Sequence, residues 1–138
     1  MTDRHVVVDH VLFVVSDLEA SRRFYRAALA PLGIEELHTQ VDGSHFGREG
    51  LDDFAIFAGD PPTTAAHVAF DASSREEVDA FHEAALANGG RDRGAPGVWV
   101  QYSERYYAAF VFDPDGNNVE AVFHSPEALV GKAPVRRS

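Results

Sequence analysis

The sequence predicts an α+β protein in which one β-α-β-β-β unit is used twice, and three observations predict it. Displacing the chain along itself by 57 residues sets 10–33 against 67–90 without a gap, and eleven of the 24 positions are identical. Each copy passes from an apolar run into a helical pattern at a Ser-x-x-Glu sequence. Each helical pattern is followed by short β-forming runs separated by turn residues.

Taken in order, residues 6–15 and 66–72 are rich in β-formers and read as the first strand of each copy. Ser16–Glu19 and Ser73–Glu76 supply the side chains that satisfy free amides at a helix start. Apolar residues then recur at helical spacing: Phe24 and Ala28 in the first copy, Val78, Phe81 and Ala85 in the second. Gly33 and Gly89–Gly90 can take the left-handed conformation that closes a helix. Strands follow over 35–41, 44–47 and 54–58, turning at Asp42–Gly43 and around Gly50, and then over 98–102, 106–112 and 118–124. Between the last two, Asp113-Pro114-Asp115-Gly116 suits a type I turn position by position. The expected domain is 1–126, with one module over about 5–60, a second over about 64–126, and a C-terminal tail over 127–138, in which the basic segment Lys132–Arg137 reads as frayed and solvated.

Composition narrows the function. A net charge of −10, from 22 acidic and 12 basic residues, repels phosphate backbones and anionic lipid, so neither nucleic acid nor a membrane surface is an expected partner. No apolar run reaches the ~18–20 residues of a membrane span. The opening MTDRHVVVDH lacks the pattern of a secretory signal, and with no cysteine the expected location is the cytoplasm.

Strand alternation selects candidate site residues. His10, Leu12 and Val14 share a face, as do His67, Ala69 and Asp71. If Asp113 and Gly116 close the last hairpin, residues whose numbers sum to 229 lie opposite one another. Glu120 then faces Ala109, Val122 faces Tyr107, and His124 faces Arg105. That places Tyr107 on the face of Glu120 and His124; a slip of one residue would put Tyr106 there instead. A glutamate in an otherwise apolar final strand is costly unless paired or metal-bound.

The stretches DHVLFVVSDLEASRRFY (9–25), HVAF (67–70) and FDPDGNNVEAV (112–122), in this order and spacing, resemble the vicinal oxygen chelate superfamily. Its members include glyoxalase I, extradiol dioxygenases, and fosfomycin- and bleomycin-resistance proteins. The resemblance reaches to about residue 126 and implies two tandem βαβββ modules forming a cup-shaped, partly open mixed β-barrel with helices outside. Carried over by position, it implies metal ligands at His10, His67 and Glu120. Two imidazoles and a carboxylate would hold Fe, Mn, Zn, Ni or Co and leave positions open. Matching Gly50 to Gly116 sets Phe54 against Glu120, so module one offers no fourth ligand there, and a three-ligand site is expected.

The resemblance therefore implies a divalent-metal-dependent enzyme, of lyase, isomerase or dioxygenase type. Its substrate would be a small molecule that chelates the metal through adjacent oxygens. Tyr107 and His124 are the candidate catalytic proton donors. The competing expectation is a metal-free cup that binds a small molecule, as in bleomycin-resistance proteins. Either way the resemblance implies a homodimer, with modules sometimes exchanged between chains.

Overall fold

A computed structural model describes residues 6–137; the first five residues, His5 among them, and Ser138 lie outside it. Two open mixed sheets each carry one helix, and the chain builds them one after the other as βαβββ units. Module one comprises β1 (Val11–Val15), α1 (Leu18–Leu29), β2 (Glu35–Gln40), β3 (Gly43–Arg48) and β4 (Leu51–Ala58). A 3-10 turn over Ala30–Leu32 follows α1 and closes on Gly33, whose φ of 74° is left-handed. Module two comprises β5 (His67–Asp71), α2 (Arg75–Ala87), β6 (Arg91–Trp99), β7 (Tyr106–Phe112) and β8 (Asn118–His124). With a short last strand, β9 (Val135–Arg136), the strand orders are β1-β4-β3-β2 and β5-β8-β7-β6-β9. In each module the first strand runs parallel to the last, and both β1 and β5 are sheet edges.

Both helices start one residue later than the Ser-x-x-Glu reading places them. Asp17, rather than Ser16, caps α1 by accepting the Ala20 amide at 3.1 Å. Ser74, rather than Ser73, caps α2 by accepting the Glu77 amide at 3.2 Å, and Glu77 reaches back to the Ser73 amide at 2.9 Å. The capping box of α2 is thus Ser74–Glu77. Ser16 instead bonds the Asp115 carboxylate at 2.5 Å, tying the end of β1 to the β7–β8 turn.

The core lies between helices and sheets. Phe24, Tyr25, Ala28 and Leu29 of α1 and Val78, Phe81 and Ala85 of α2 are fully buried. They meet the alternate residues Phe13 and Val15 of β1, Phe54 and Ile56 of β4, and Val119 and Ala121 of β8. Burying one such Phe or Leu stabilises the fold by roughly 1.5–3 kcal/mol. The modules are also joined through polar groups. Tyr25 on α1 donates to the buried Asp113 carboxylate at 2.6 Å, and Asn117 Nδ2 donates to the Thr63 carbonyl at 2.8 Å.

Two turns decide which side chains reach the site. The β7–β8 turn holds five residues, because Asp113 accepts the amides of both Asp115 and Asn117 and draws Asn117 out of the strand. Opposed residues therefore sum to 230: Tyr106 faces His124, Ala108 faces Val122 and Phe110 faces Glu120. The β3–β4 turn is tighter, with Glu49 and Gly50 both at positive φ (53° and 78°), as in a two-residue hairpin. Ala55 pairs with Leu12 as Glu120 pairs with Ala69, so Ala55 rather than Phe54 is the counterpart of Glu120. Phe54 points into the core, its ring 5.0 Å from that of Tyr25.

Two further elements differ from the sequence reading. The sixth strand runs over Arg91–Trp99, irregular between Asp92 and Gly97, and Tyr102 belongs to the turn after it. The tail is not simply solvated: Leu129 is buried, and β9 (Val135–Arg136) adds a short parallel edge beside Val98 and Trp99.

Candidate functional site

The face of module two that points away from the helices carries a second apolar cluster: Trp99, Ala108, Phe110 and Val122, with Tyr106 packed against it. Trp99 lies edge-on to Phe110 at 5.0 Å and donates its indole N–H to the Ala108 carbonyl at 2.9 Å. Gly94 makes this possible, since a Cβ there would come within 2.8 Å of the Trp99 ring. Glu120 sits among these residues with 1% of its surface exposed.

A carboxylate so buried demands partners. Its Oε1 lies 2.7 Å from His67 Nε2, and its Oε2 accepts the Tyr106 hydroxyl. His67 is half exposed, and its ring lies 6.1 Å from that of Phe110. Burial, and then the Glu120 carboxylate, holds the Tyr106 phenol well above its ordinary range. The hydroxyl therefore remains a donor at neutral pH.

Tyr107 does not share this face. It points to the helix side, where its hydroxyl donates to Asp79 of α2 at 2.6 Å. Burial first, and Asp79 second, raise its pKa. The five-residue turn is the physical reason: it moves the hairpin register by one and exchanges the two tyrosines. His124 is on the Glu120 face, exposed at the end of β8, with its ring 5.2 Å from Tyr106 and nearly perpendicular to it. Face-by-face reading of the sequence names Tyr106 only as the alternative to Tyr107 and does not select Trp99 or Phe110. For Tyr106 a deciding signal was there, the extra turn residue Asn117.

His10 precedes β1, and its ring bonds Asp9 at 2.8 Å with 67% of the side chain exposed. It borders the same cleft as His67, a cavity of about 410 Å³ also lined by Arg48, Asp53, Phe54 and Phe70. His10 stands just before β1, whereas contacts at the other end of β1 lead toward His67. Ser16, at the far end of β1, meets Asp115, three residues before the Asn118 that pairs with His67. At ~3.3 Å per residue, His10 is roughly 20 Å from Ser16 along an extended chain. Among the described residues, no three His, Cys, Asp or Glu side chains gather as a metal site within one chain.

The pair that does form suits a metal. One imidazole nitrogen and one carboxylate oxygen at 2.7 Å approach the ~3 Å separating adjacent ligand atoms around an ion. Module one repeats the histidine, as His10, but not the carboxylate. Its counterpart of Glu120 is Ala55, and the neighbouring His45 is engaged by Asp52 at 3.2 Å and Gln40 at 3.0 Å.

Residues 7–121 match the Glyoxalase/Bleomycin resistance protein/Dioxygenase superfamily. The chain belongs to this superfamily. It is 32% identical over 130 residues to the uncharacterised protein YqjT of Bacillus subtilis (strain 168), covering 82% of this chain and 95% of that one. A glyoxalase/bleomycin resistance protein from Albidiferax ferrireducens T118 superposes with a TM-score of 0.72 at 34% identity, covering 83% of this chain and 96% of that one. A variant of the fosfomycin resistance protein FosX from Listeria monocytogenes, complexed with Mn(II) and a dihydroxypropylphosphonic acid, superposes with a TM-score of 0.60 at 25% identity, covering 83% and 86%. The two open βαβββ sheets are the fold of the superfamily, whose members include metal-dependent enzymes and small-molecule binders. No helix among the described residues is long and apolar enough to cross a membrane.

Proposed function

We propose that the protein is a divalent-metal-dependent enzyme acting on a small substrate that binds the metal through two adjacent oxygens. His67 and Glu120 are two ligands, and His10 of a second copy of the chain is the third. One observation carries the reading: the Glu120 carboxylate, buried to 1% exposure on an apolar face, opposes His67 Nε2 at 2.7 Å. The exposed His10, which does not gather with them within the chain, supports a site shared between two copies.

Held by these residues, a divalent ion would supply Lewis acidity toward the substrate oxygens or, as iron, would activate dioxygen. The protein supplies the rest. Trp99, Phe110 and Val122 exclude water from one side and strengthen local electrostatics. His124, exposed beside the site, is placed to take or return a proton from substrate. Fe, Mn, Zn, Ni and Co all suit the ligand set; the superfamily implies a homodimer, and the cytoplasm is the proposed location.

A second reading is a metal-free small-molecule binder. It is favoured by one observation: His67, Glu120 and Tyr106 satisfy one another without an ion. Elemental analysis separates the two. The metal reading expects close to one equivalent of metal per chain, lost in Glu120→Ala and His67→Ala. No metal in the purified protein, with no thermal stabilisation by added Fe, Mn, Ni, Zn or Co, refutes it.

A further inference from the structure

We infer that Tyr106 is a positioning residue that occupies one oxygen of Glu120, so that the carboxylate offers an ion only its other oxygen. The inference rests on the metal reading above and deepens it. Tyr106 opens β7 directly opposite His124, and its hydroxyl donates to Glu120 Oε2 while His67 faces Oε1. The two oxygens of one carboxylate are thus assigned to different tasks.

The geometry that holds the phenol in place is specific. Its ring is flanked by Tyr102, at 4.8 Å, and by His124, at 5.2 Å. The next residue, Tyr107, is anchored on the opposite face through Asp79. Neighbouring tyrosines tied down on opposite faces prevent β7 from exchanging them. A slip of β7 that brought Tyr107 to Glu120 would break its bond to Asp79.

The consequence is a count of open positions. A carboxylate binding through one oxygen, with two imidazoles, fills three positions of a six-coordinate ion and leaves three. Binding through both oxygens would leave two. A substrate with two adjacent oxygens would then fill them and leave none for a further reactant or water. Tyr106 keeps the third position available.

The test uses the full-length protein loaded with Co(II), with acetohydroxamate as a small probe bearing two adjacent oxygens. Tyr106→Phe removes only the hydroxyl. Expected are unchanged Co(II) stoichiometry, a shifted visible spectrum, and, with hydroxamate bound, an affinity for azide as a further ligand weakened by about tenfold or more. Tyr107→Phe, on the other face, should leave spectrum and affinity as in the wild type. If Tyr106→Phe folds poorly, the infrared carboxylate stretches of the loaded wild type serve instead, since one-oxygen ligation splits them more widely than two-oxygen ligation. A wild type that binds Co(II) but gives the narrow splitting, or a Tyr106→Phe spectrum and affinity equal to wild type, overturns the inference alone. A wild type that binds no Co(II) overturns the metal reading and this inference with it.

Discussion

The sharing of the site between two copies has a quantitative signature. Take His10→Ala and Glu120→Gln, each of which breaks the proposed ligand set. If His10 from one chain meets His67 and Glu120 from another, every site in either pure variant is defective. In a mixed dimer, one site joins the intact His10 of the Glu120→Gln chain to the intact His67 and Glu120 of the His10→Ala chain. The other site carries both defects. Random pairing of equal amounts makes half of the dimers mixed, so about a quarter of all sites are restored. The structure motivates the split, since β1 carries His10 away from the Asp115 contact that marks the His67 end of the module boundary. The variants are mixed in urea, refolded together and loaded with Mn(II), and bound metal is measured after gel filtration. Metal near a quarter of the wild-type value supports the shared site. A mixture that binds no more than the average of the two pure variants refutes it.

Other features give independent tests. Tyr25→Phe removes the 2.6 Å bond to the buried Asp113 and should cost about 1.5–3 kcal/mol in urea unfolding, with little further loss when added to Asp113→Asn. Gly94→Ala would place a methyl within 2.8 Å of the Trp99 ring and should cost about 1–3 kcal/mol, shifting the emission of the only tryptophan. Tyr25 and Tyr107 have raised pKa values, chiefly through burial and then through Asp113 and Asp79. They keep their protons longer in the folded state than in the unfolded one. Stability should therefore be level below pH ~10 and fall as pH rises beyond it, less steeply in Tyr25→Phe. Glu36 behaves in the opposite sense. Burial alone would raise its pKa, but hydrogen bonds from Arg26 and Ser44 hold it lower, so its contribution should be lost as pH falls through the carboxylate range, and Glu36→Gln should flatten that acid limb.

Most of the fold was legible because it rests on periodicity. The tandem units, both helices and the bounds of β7 and β8 follow from apolar spacing and turn residues. What escaped is set by single residues that compete for backbone amides. Asp17 and Ser74 displaced Ser16 and Ser73 as caps because each can reach the amide three residues on. Asn117 joined the turn because the Asp113 carboxylate has room for two amides. That one residue exchanged Tyr106 for Tyr107 at the site. The tighter Glu49–Gly50 turn likewise made Ala55, not Phe54, the counterpart of Glu120.

The repeat also bears on why the two histidines stand apart. Equivalence at 57 residues says that His10 and His67 occupy the same place within their own units; it says nothing of the distance between them. Ser16, at the end of β1, lies by the β7–β8 turn near the start of β5. At the other end of β5, Arg48 reaches Asp71 from the β3–β4 turn, where β4 begins beside the start of β1. The two first strands therefore run in opposite senses across the module boundary, and equivalent first-strand positions fall at opposite ends of it. A single chain thus separates two histidines that its repeat makes alike, and the proposed site takes its second imidazole from a second copy. Among the described residues, the single chain leaves His10 on the surface, bonded to Asp9.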